Sequence, residues 1–356
     1  MKIAVGLSGG VDSAVSALLL KRQGYEVVGV YLHCWNNDSS GCGADEDKKS
    51  ALKTALEIGI PFKILDFSKE YMSRVIDYFY REYRAGRTPN PDVMCNSEIK
   101  FGLFLEWAME NDFDYVATGH YARLDSGQGR MTKLMIPKDK HKDQTYFLWK
   151  LGQKELKKVL FPLGDCLKSE VRSMAKKAKL SVADRKDSQG ICFVGKVDVR
   201  DFLKKRLKVK KGDVLDKKGN KIGGHDGAWF YTIGQRGGWN ITVKFKDPIP
   251  PLYIVEKDVK KNLLVVGESK DAKRKSFKVG ELSWVGGDDW GRLRTRLRRA
   301  KVRIRHGGEL VPVSVSNVKG RTLDIEMGGG QRGVAAGQSA VFYSDDGECL
   351  GGGVII

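Results

Sequence analysis

Along residues 1 to about 205, apolar runs alternate with segments of helical spacing, a pattern that predicts parallel strands with helices between them. Lys2-Ile3-Ala4-Val5-Gly6-Leu7 reads as a buried strand. Ser13 to Gln23 follows as a helix with Val15, Leu18 and Leu19 on its apolar face and Gly24 as its stop. Glu26 to Leu32 is a second strand, and Phe113 to Thr118 another that ends at Gly119-His120. From about Leu207 the texture changes. Turn signals at Lys211-Gly212-Asp213, Lys218-Gly219-Asn220 and Gly223 to Gly227 separate short runs rich in Val, Ile and Tyr, which suits small barrels. A second break near Asp271 to Lys275 divides that region. The expectation is three units: α/β over 1–205, then all-β over 206–275 and 276–356.

Charge adds a partner. Lys and Arg total 63 against 44 Asp and Glu, a formal excess of +19. An excess of this size in a chain of 356 residues points to a polyanion, because clustered cations release counterions from phosphates. Charge alone does not separate RNA from DNA or from an anionic membrane. No apolar stretch approaches the roughly 18 residues of a membrane span, and the amino terminus runs directly into a strand. The expectation is a cytoplasmic protein that does not enter membranes. None of the six cysteines (Cys34, Cys42, Cys95, Cys166, Cys192, Cys349) forms a C-x-x-C pair, so neither a zinc ribbon nor a standard iron–sulfur cradle is written here.

Ser8-Gly9-Gly10-Val11-Asp12-Ser13 lies between the first strand and the first helix. In a doubly wound sheet ligands bind at the carboxyl ends of strands, and helix amino termini favour anions. Gly9 and Gly10 admit phosphate close to the backbone, Ser8 and Ser13 offer hydroxyls, and Asp12 is the candidate ligand for a magnesium ion bridging the phosphates. The Gly-Lys-Ser/Thr ending of a Walker loop is absent. The string resembles the pyrophosphatase loop of enzymes that adenylate a carbonyl or carboxylate oxygen with ATP. Amide-forming synthetases and tRNA-thiolating enzymes both remain candidates at this point.

Two cysteine segments choose between them. In Thr88-Pro89-Asn90-Pro91-Asp92-Val93-Met94-Cys95-Asn96, Pro91 suits the first position of a helix, with Asn90 as its cap. Asp92 and Cys95 then share a face, a candidate acid or base beside a thiol whose ionised form the helix dipole favours. Asp187-Ser188-Gln189-Gly190-Ile191-Cys192-Phe193-Val194-Gly195 is a loop or edge segment carrying a second thiol. A helix start with an incidental Cys and a packed strand Cys stay open for each segment taken alone.

Taken together and in order, 97 residues apart, the two segments resemble the tRNA-specific 2-thiouridylases of the MnmA family. The resemblance continues through Ala117 to Arg123, Lys142 to Leu148 and Tyr231 to Arg236. It implies an adenine-nucleotide α-hydrolase-like parallel sheet followed by two small all-β domains. It implies that Gly6, Leu7, Ser8, Gly9, Gly10, Val11, Asp12 and Ser13 surround the ATP phosphates and that Leu32 and Gly119 contact the adenosine. The family commonly has Met where Leu32 stands. Asn90, Pro91 and Asp92 would meet the target base, Cys95 would be the nucleophile, and Cys192 would carry a persulfide. A sulfur-donor protein of the cysteine desulfurase relay is the implied partner. Lys142, Asp143, Gln144, Arg305 and His306 correspond to tRNA contacts, with His306 in place of a frequent Tyr.

The implied chemistry is adenylation of the 2-carbonyl oxygen of a wobble uridine, then replacement of that oxygen by sulfur. The basic segment Arg292 to His306 supports an RNA partner. From Arg299 onward, basic residues alternate with Ala300, Val302 and Ile304, which predicts a strand with one cationic face. Lys204 to Lys211 is a second basic run, as well suited to a linker surface. An amide-forming synthetase would leave the charge excess and both cysteine segments unexplained. A noncatalytic RNA-binding protein would leave the Ser8 to Ser13 string unexplained.

Overall fold

A computed structural model describes residues 1–35, 43–126, 131–187, 198–243, 250–287, 289–319 and 322–356. In chain order the first strands are β1 (Lys2–Gly6), β2 (Glu26–His33), β3 (Phe62–Asp66), β4 (Tyr115–Ala117), a hairpin of β5 (Arg123–Asp125) and β6 (Lys133–Met135), and β7 (Val159–Leu160). The hairpin aside, they form one sheet in the order β3-β2-β1-β4-β7, every pair parallel. Central β1 is covered on both faces, as parallel strands require. Ile3 and Val5 pack with residues of α1 (Val11–Arg22) and α2 (Gly43–Ile58), while Ala4 faces Phe101, Phe104 and Val116. Helix α1 begins before the expected Ser13, because extended Gly10 (φ −97°, ψ 165°) makes the break. It stops as expected at Gly24, which takes a left-handed φ of 84°.

The predicted all-β texture is present. A second sheet runs β10 (Asn240–Ile241), β9 (Lys221–His225), β8 (Gly212–Leu215), β12 (Leu263–Gly267), β11 (Tyr253–Asp258). The last unit is a closed six-stranded barrel of β13 (Lys273–Trp284), β14 (Lys301–Arg303), β15 (Val311–Lys319), β16 (Thr322–Arg332), β17 (Ser339–Tyr343) and β18 (Glu348–Ile355). It closes through β13 against β18, with Val279 opposite Ile355. The helix Trp290–Leu297, capped by the Asp289 side chain, seats Leu293 and Leu297 in the barrel core.

Pattern alone did not foresee one feature. The hairpin β5–β6, drawn from the first unit, extends the barrel sheet, with Leu134 opposite Cys349 and Met135 opposite Glu348. The following segment is buried against the barrel as well. Tyr146, Leu148 and Trp149 are fully buried. The Tyr146 hydroxyl donates to the Ser339 carbonyl (3.0 Å), and the Trp149 indole donates to the Ser339 hydroxyl (3.0 Å).

At its head, Asp143 takes Arg303 Nη1 at 2.6 Å on one oxygen and the Thr145 amide and hydroxyl on the other. The Asp143 side chain is 2% exposed and that of Arg303 11%. The Asp143 carboxylate is thus engaged within the fold, and one expectation is corrected: Arg303 does not belong to a solvent-facing cationic row. Ala300, Val302 and Ile304 do point inward as the alternation requires, but across the strand Arg303 meets a carboxylate rather than water.

Removing one member of such a pair strands a buried charge. Asp143→Leu or Arg303→Met alone should cost roughly 3–5 kcal/mol, read as a lowered melting temperature, and the double variant should recover most of that loss. A double variant that melts no higher than the worse single change would show that the two groups are not coupled.

Candidate active site

The Ser8–Ser13 loop sits at the carboxyl edge of the parallel sheet, between β1 and α1. Gly9 has φ 77°, and a Cβ there would stand 2.5 Å from the Asp47 carbonyl oxygen. Inside the loop, the Ser8 amide donates to the Ser13 hydroxyl (3.1 Å), and that hydroxyl donates to the Gly10 carbonyl (3.1 Å). Ser50 and Arg185 both donate to the Gly9 carbonyl, at 2.9 and 2.6 Å. Gly10 is the helix N-cap and supplies no side-chain cap. The first-turn amides therefore have no partner inside their own helix, the condition under which helix amino termini suit anions. Beside them, Gly119 packs its backbone so closely that a Cβ would lie 2.6 Å from the Ser13 amide nitrogen. Leu32 lies half-buried near the end of β2, in register with Leu65. The donor set and glycine cradle fit the phosphates of a nucleotide.

Asp12 opens onto a charged network. Its Oδ1 accepts from the Tyr121 hydroxyl (2.9 Å), and Lys168 Nζ reaches Oδ1 at 2.6 Å and Oδ2 at 2.8 Å. The same ammonium is 3.0 Å from Asp187 Oδ1. Asp187 is also held by Lys142 (2.8 Å) and Arg172 (2.7 Å). Burial works against the charge on Asp187, yet hydrogen bonds from Lys142 and Lys168 outweigh it and bring its pKa down to about 2. Among the described residues no group of three or more His, Cys, Asp or Glu could hold a metal ion by itself. Asp12 fits one that arrives on phosphates, since magnesium in such sites needs only one or two carboxylates.

Asp92 and Cys95 occupy the expected helix start. Asn90 is extended (φ −111°, ψ 90°) and Pro91 is the first helical residue. The Asn90 side chain makes no cap, however, and lies close to the Tyr146 hydroxyl. From Cys95 to Leu103 the helix widens into π geometry, a form frequent at functional sites. Cys95 is 5% exposed and packs with Tyr71, Val75 and Ile99, while Asp92 is half-buried. Cys192 and its neighbours from Ser188 to Gly195 lie outside the described residues, as do Cys42 and the loop before it.

The chain entering this helix is fixed from outside its own unit. The Thr88 amide donates to the Ala336 carbonyl (2.7 Å), and Gln338 Nε2 donates to the carbonyls of Thr88 (2.9 Å) and Pro89 (3.2 Å). The Thr88 hydroxyl meets that of Thr232 at 3.0 Å. Both β units therefore grip the segment that presents Asn90, Pro91 and Asp92.

Of the expected RNA contacts, Arg305 is exposed, and His306 is exposed while its ring lies tilted against Phe147 with centroids 4.5 Å apart. Lys142 leans on Asp187, and the Gln144 side chain accepts from the Tyr121 amide (2.9 Å). Arg292, Arg294, Arg298 and Arg299 are exposed on and after the helix Trp290–Leu297, and the run from Lys204 to Arg206 is exposed too. Sequence reasoning gave no role to Lys168, Tyr121, Arg185 or Arg172. Tyr121 and Asp187 stand inside quoted motifs, but Lys168 carries no local signal. Only the fold brings it to a residue 156 positions away.

Residues 1–196 match the tRNA methyl transferase HUP domain, 200–268 the tRNA methyl transferase PRC-barrel domain, and 274–355 the aminomethyltransferase beta-barrel domain. The tRNA-specific 2-thiouridylase MnmA of Francisella tularensis subsp. novicida is 44% identical over 361 residues, covering 100% of this chain and 99% of that one. Its counterpart from Francisella philomiragia subsp. philomiragia is also 44% identical, over 366 residues, with the same coverage. Among solved structures, the U34-tRNA thiolase NcsA of Methanococcus maripaludis is 21% identical, covering 55% of this chain and 61% of that one, with a TM-score of 0.36. That structural overlap is too slight to bear on the site. End-to-end likeness at 44% identity, across all three domains that frame the loop and the thiol, places this chain in the MnmA family of tRNA-specific 2-thiouridylases.

Proposed function

We propose that the protein replaces the 2-carbonyl oxygen of a tRNA wobble uridine with sulfur, using ATP to activate the oxygen and a cysteine persulfide to deliver the sulfur. The observation that carries this reading is the company kept by Cys95. A buried thiol stands beside Asp92 at the start of a helix gripped by both β units, in the same α/β body as an anion-binding loop. The names of the full-length relatives support it.

A urea-like carbonyl is a poor electrophile, and its oxygen leaves only after conversion to a phosphate ester. The uridine oxygen attacks the α-phosphate of ATP, and diphosphate departs toward the Ser8–Ser13 loop. Asp92 is the residue assigned to manage a proton at the base. The terminal sulfur of a Cys192 persulfide bonds to the activated carbon, and AMP leaves with the original oxygen. The Cys95 thiolate attacks the inner sulfur of Cys192, giving thiouridine and a Cys95–Cys192 disulfide. Alternatively Cys95 attacks first and frees hydrogen sulfide, which then attacks the same carbon. Either route oxidises the two cysteines by two electrons, which a cytoplasmic thiol pool restores. A donor protein of the cysteine desulfurase relay reloads Cys192. The exposed arginines from Arg292 to Arg305 and the net charge of +19 suit a tRNA held by its phosphates.

Two of the matched domains carry the words methyl transferase, which raises a second reading. A sulfonium methyl donor passes its methyl group directly to a nucleophile and releases no diphosphate, so it leaves the Ser8–Ser13 loop without a task.

Incubation with ATP, magnesium, a persulfide source, a sulfonium methyl donor and unmodified tRNA should yield 2-thiouridine by nucleoside mass spectrometry, whereas methylated uridine without thiolation would overturn the proposal. Cys192→Ser should abolish thiolation while tRNA-dependent diphosphate release persists. Loss of both activities in that variant would contradict its role in sulfur delivery alone. The close packing of Gly119 against Ser13 makes Gly119→Ala a test of the nucleotide site. Its affinity for ATP in calorimetry should fall at least about tenfold, equivalent to ~1.4 kcal/mol, with tRNA affinity unchanged. Unaltered ATP binding would move the site elsewhere.

A further inference from the structure

We infer that Lys168 is a positioning residue that occupies, between Asp12 and Asp187, the place of the divalent cation borne by the nucleotide, and that it turns to the phosphates when that cation arrives. The inference rests on reading the Ser8–Ser13 loop as a nucleotide site, though not on the sulfur chemistry.

Lys168 is held at both ends. Its amide donates to Asp139 Oδ2 at 2.9 Å, and its ammonium touches both oxygens of Asp12 and one of Asp187. Its side chain is only 13% exposed. A single cation between two carboxylates imitates the way a small divalent ion is bound by oxygens. The network is also unequal. If Lys168 swings away, Asp187 keeps Lys142 and Arg172 as partners. Among the described residues Asp12 then keeps the Tyr121 hydroxyl alone, a neutral donor. Asp12 is partly buried, and a charge in that position demands a replacement cation. An incoming metal–nucleotide supplies one. The released ammonium, on a flexible four-carbon stem anchored at its backbone, remains beside the loop where new negative charge has just been placed. The exchange keeps the loop neutral before binding and adds one positive charge to the phosphates after it.

The probes are manganese(II), followed by electron paramagnetic resonance, and ATP, followed by calorimetry, with tRNA and sulfur omitted. Without nucleotide, the wild-type protein should bind manganese no more tightly than Asp12→Asn. Lys168→Met should bind it at least tenfold more tightly than wild type, and the double variant D12N/K168M should lose that gain. In EDTA, Lys168→Met should weaken metal-free ATP at least tenfold, because Asp12 then repels the phosphates, and should weaken magnesium–ATP distinctly less. Nucleotide-free wild type that already binds manganese at a site removed by Asp12→Asn would overturn the proposal, and so would a Lys168→Met protein with no gain. Equal losses for both forms of ATP would make Lys168 a plain phosphate ligand and refute the exchange. Should Lys168→Met fail to fold, the comparison of wild type with Asp12→Asn still decides. Absent thiolation alongside the expected manganese results would sink the proposed reaction and leave this inference standing.

Discussion

Hydrogen bonds from the barrel to the backbone of Thr88 and Pro89 set the position of everything that follows them in the chain. The Ala336 carbonyl and the Gln338 side-chain amide hold that short segment at three points, and Pro91 begins its helix two residues beyond. Gly337 makes the approach possible, because a Cβ there would stand 2.9 Å from both the nitrogen and the oxygen of Thr88. A helix start anchored in this way cannot drift relative to the barrel, so Asp92 and Cys95 keep one orientation toward whatever the β units bind. The buried run from Asp143 to Trp149 and the hairpin β5–β6 fasten the same two bodies at further places. Chemistry and recognition are thereby set on one frame.

The charged network brings the Ser8–Ser13 loop into that frame. Lys142 belongs to the segment docked on the barrel, and it shares Asp187 with Lys168, which in turn holds Asp12. Asp187 immediately precedes the segment that carries Cys192. A continuous chain of ion pairs therefore runs from the α1 amino terminus to the barrel-docked loop. Its members are polar and partly screened, and their geometry matters more than any stability they add.

What the sequence made legible was local. The opening strand, the loop, α1 and its Gly24 stop follow from periodicity and turn chemistry, and each appears within a few residues of its expected place. The helix start at Pro91 was legible for the same reason. The missing side-chain cap at Asn90 was not, because that side chain lies beside Tyr146, a residue 56 positions on. Arg303 shows the limit most clearly. Alternation fixed which face of β14 it occupies, but not that Asp143 waits on that side with its carboxylate already held by Thr145. Lys168 was invisible, since a lysine at a helix start is ordinary until the fold sets two carboxylates against it. The hairpin that extends the barrel sheet was hidden likewise, its partner strand lying some two hundred residues further along the chain.

The central claim is that the uridine carbonyl oxygen itself attacks the nucleotide before sulfur enters. Tracing that atom tests it directly. Unmodified tRNA carrying oxygen-18 at the 2-carbonyl of the wobble uridine is taken through a single turnover with ATP, magnesium and a persulfide, and the AMP is analysed by mass spectrometry. The account predicts one oxygen-18 in the phosphate of AMP for each thiouridine formed. Label recovered in water, with unlabelled AMP, would contradict it.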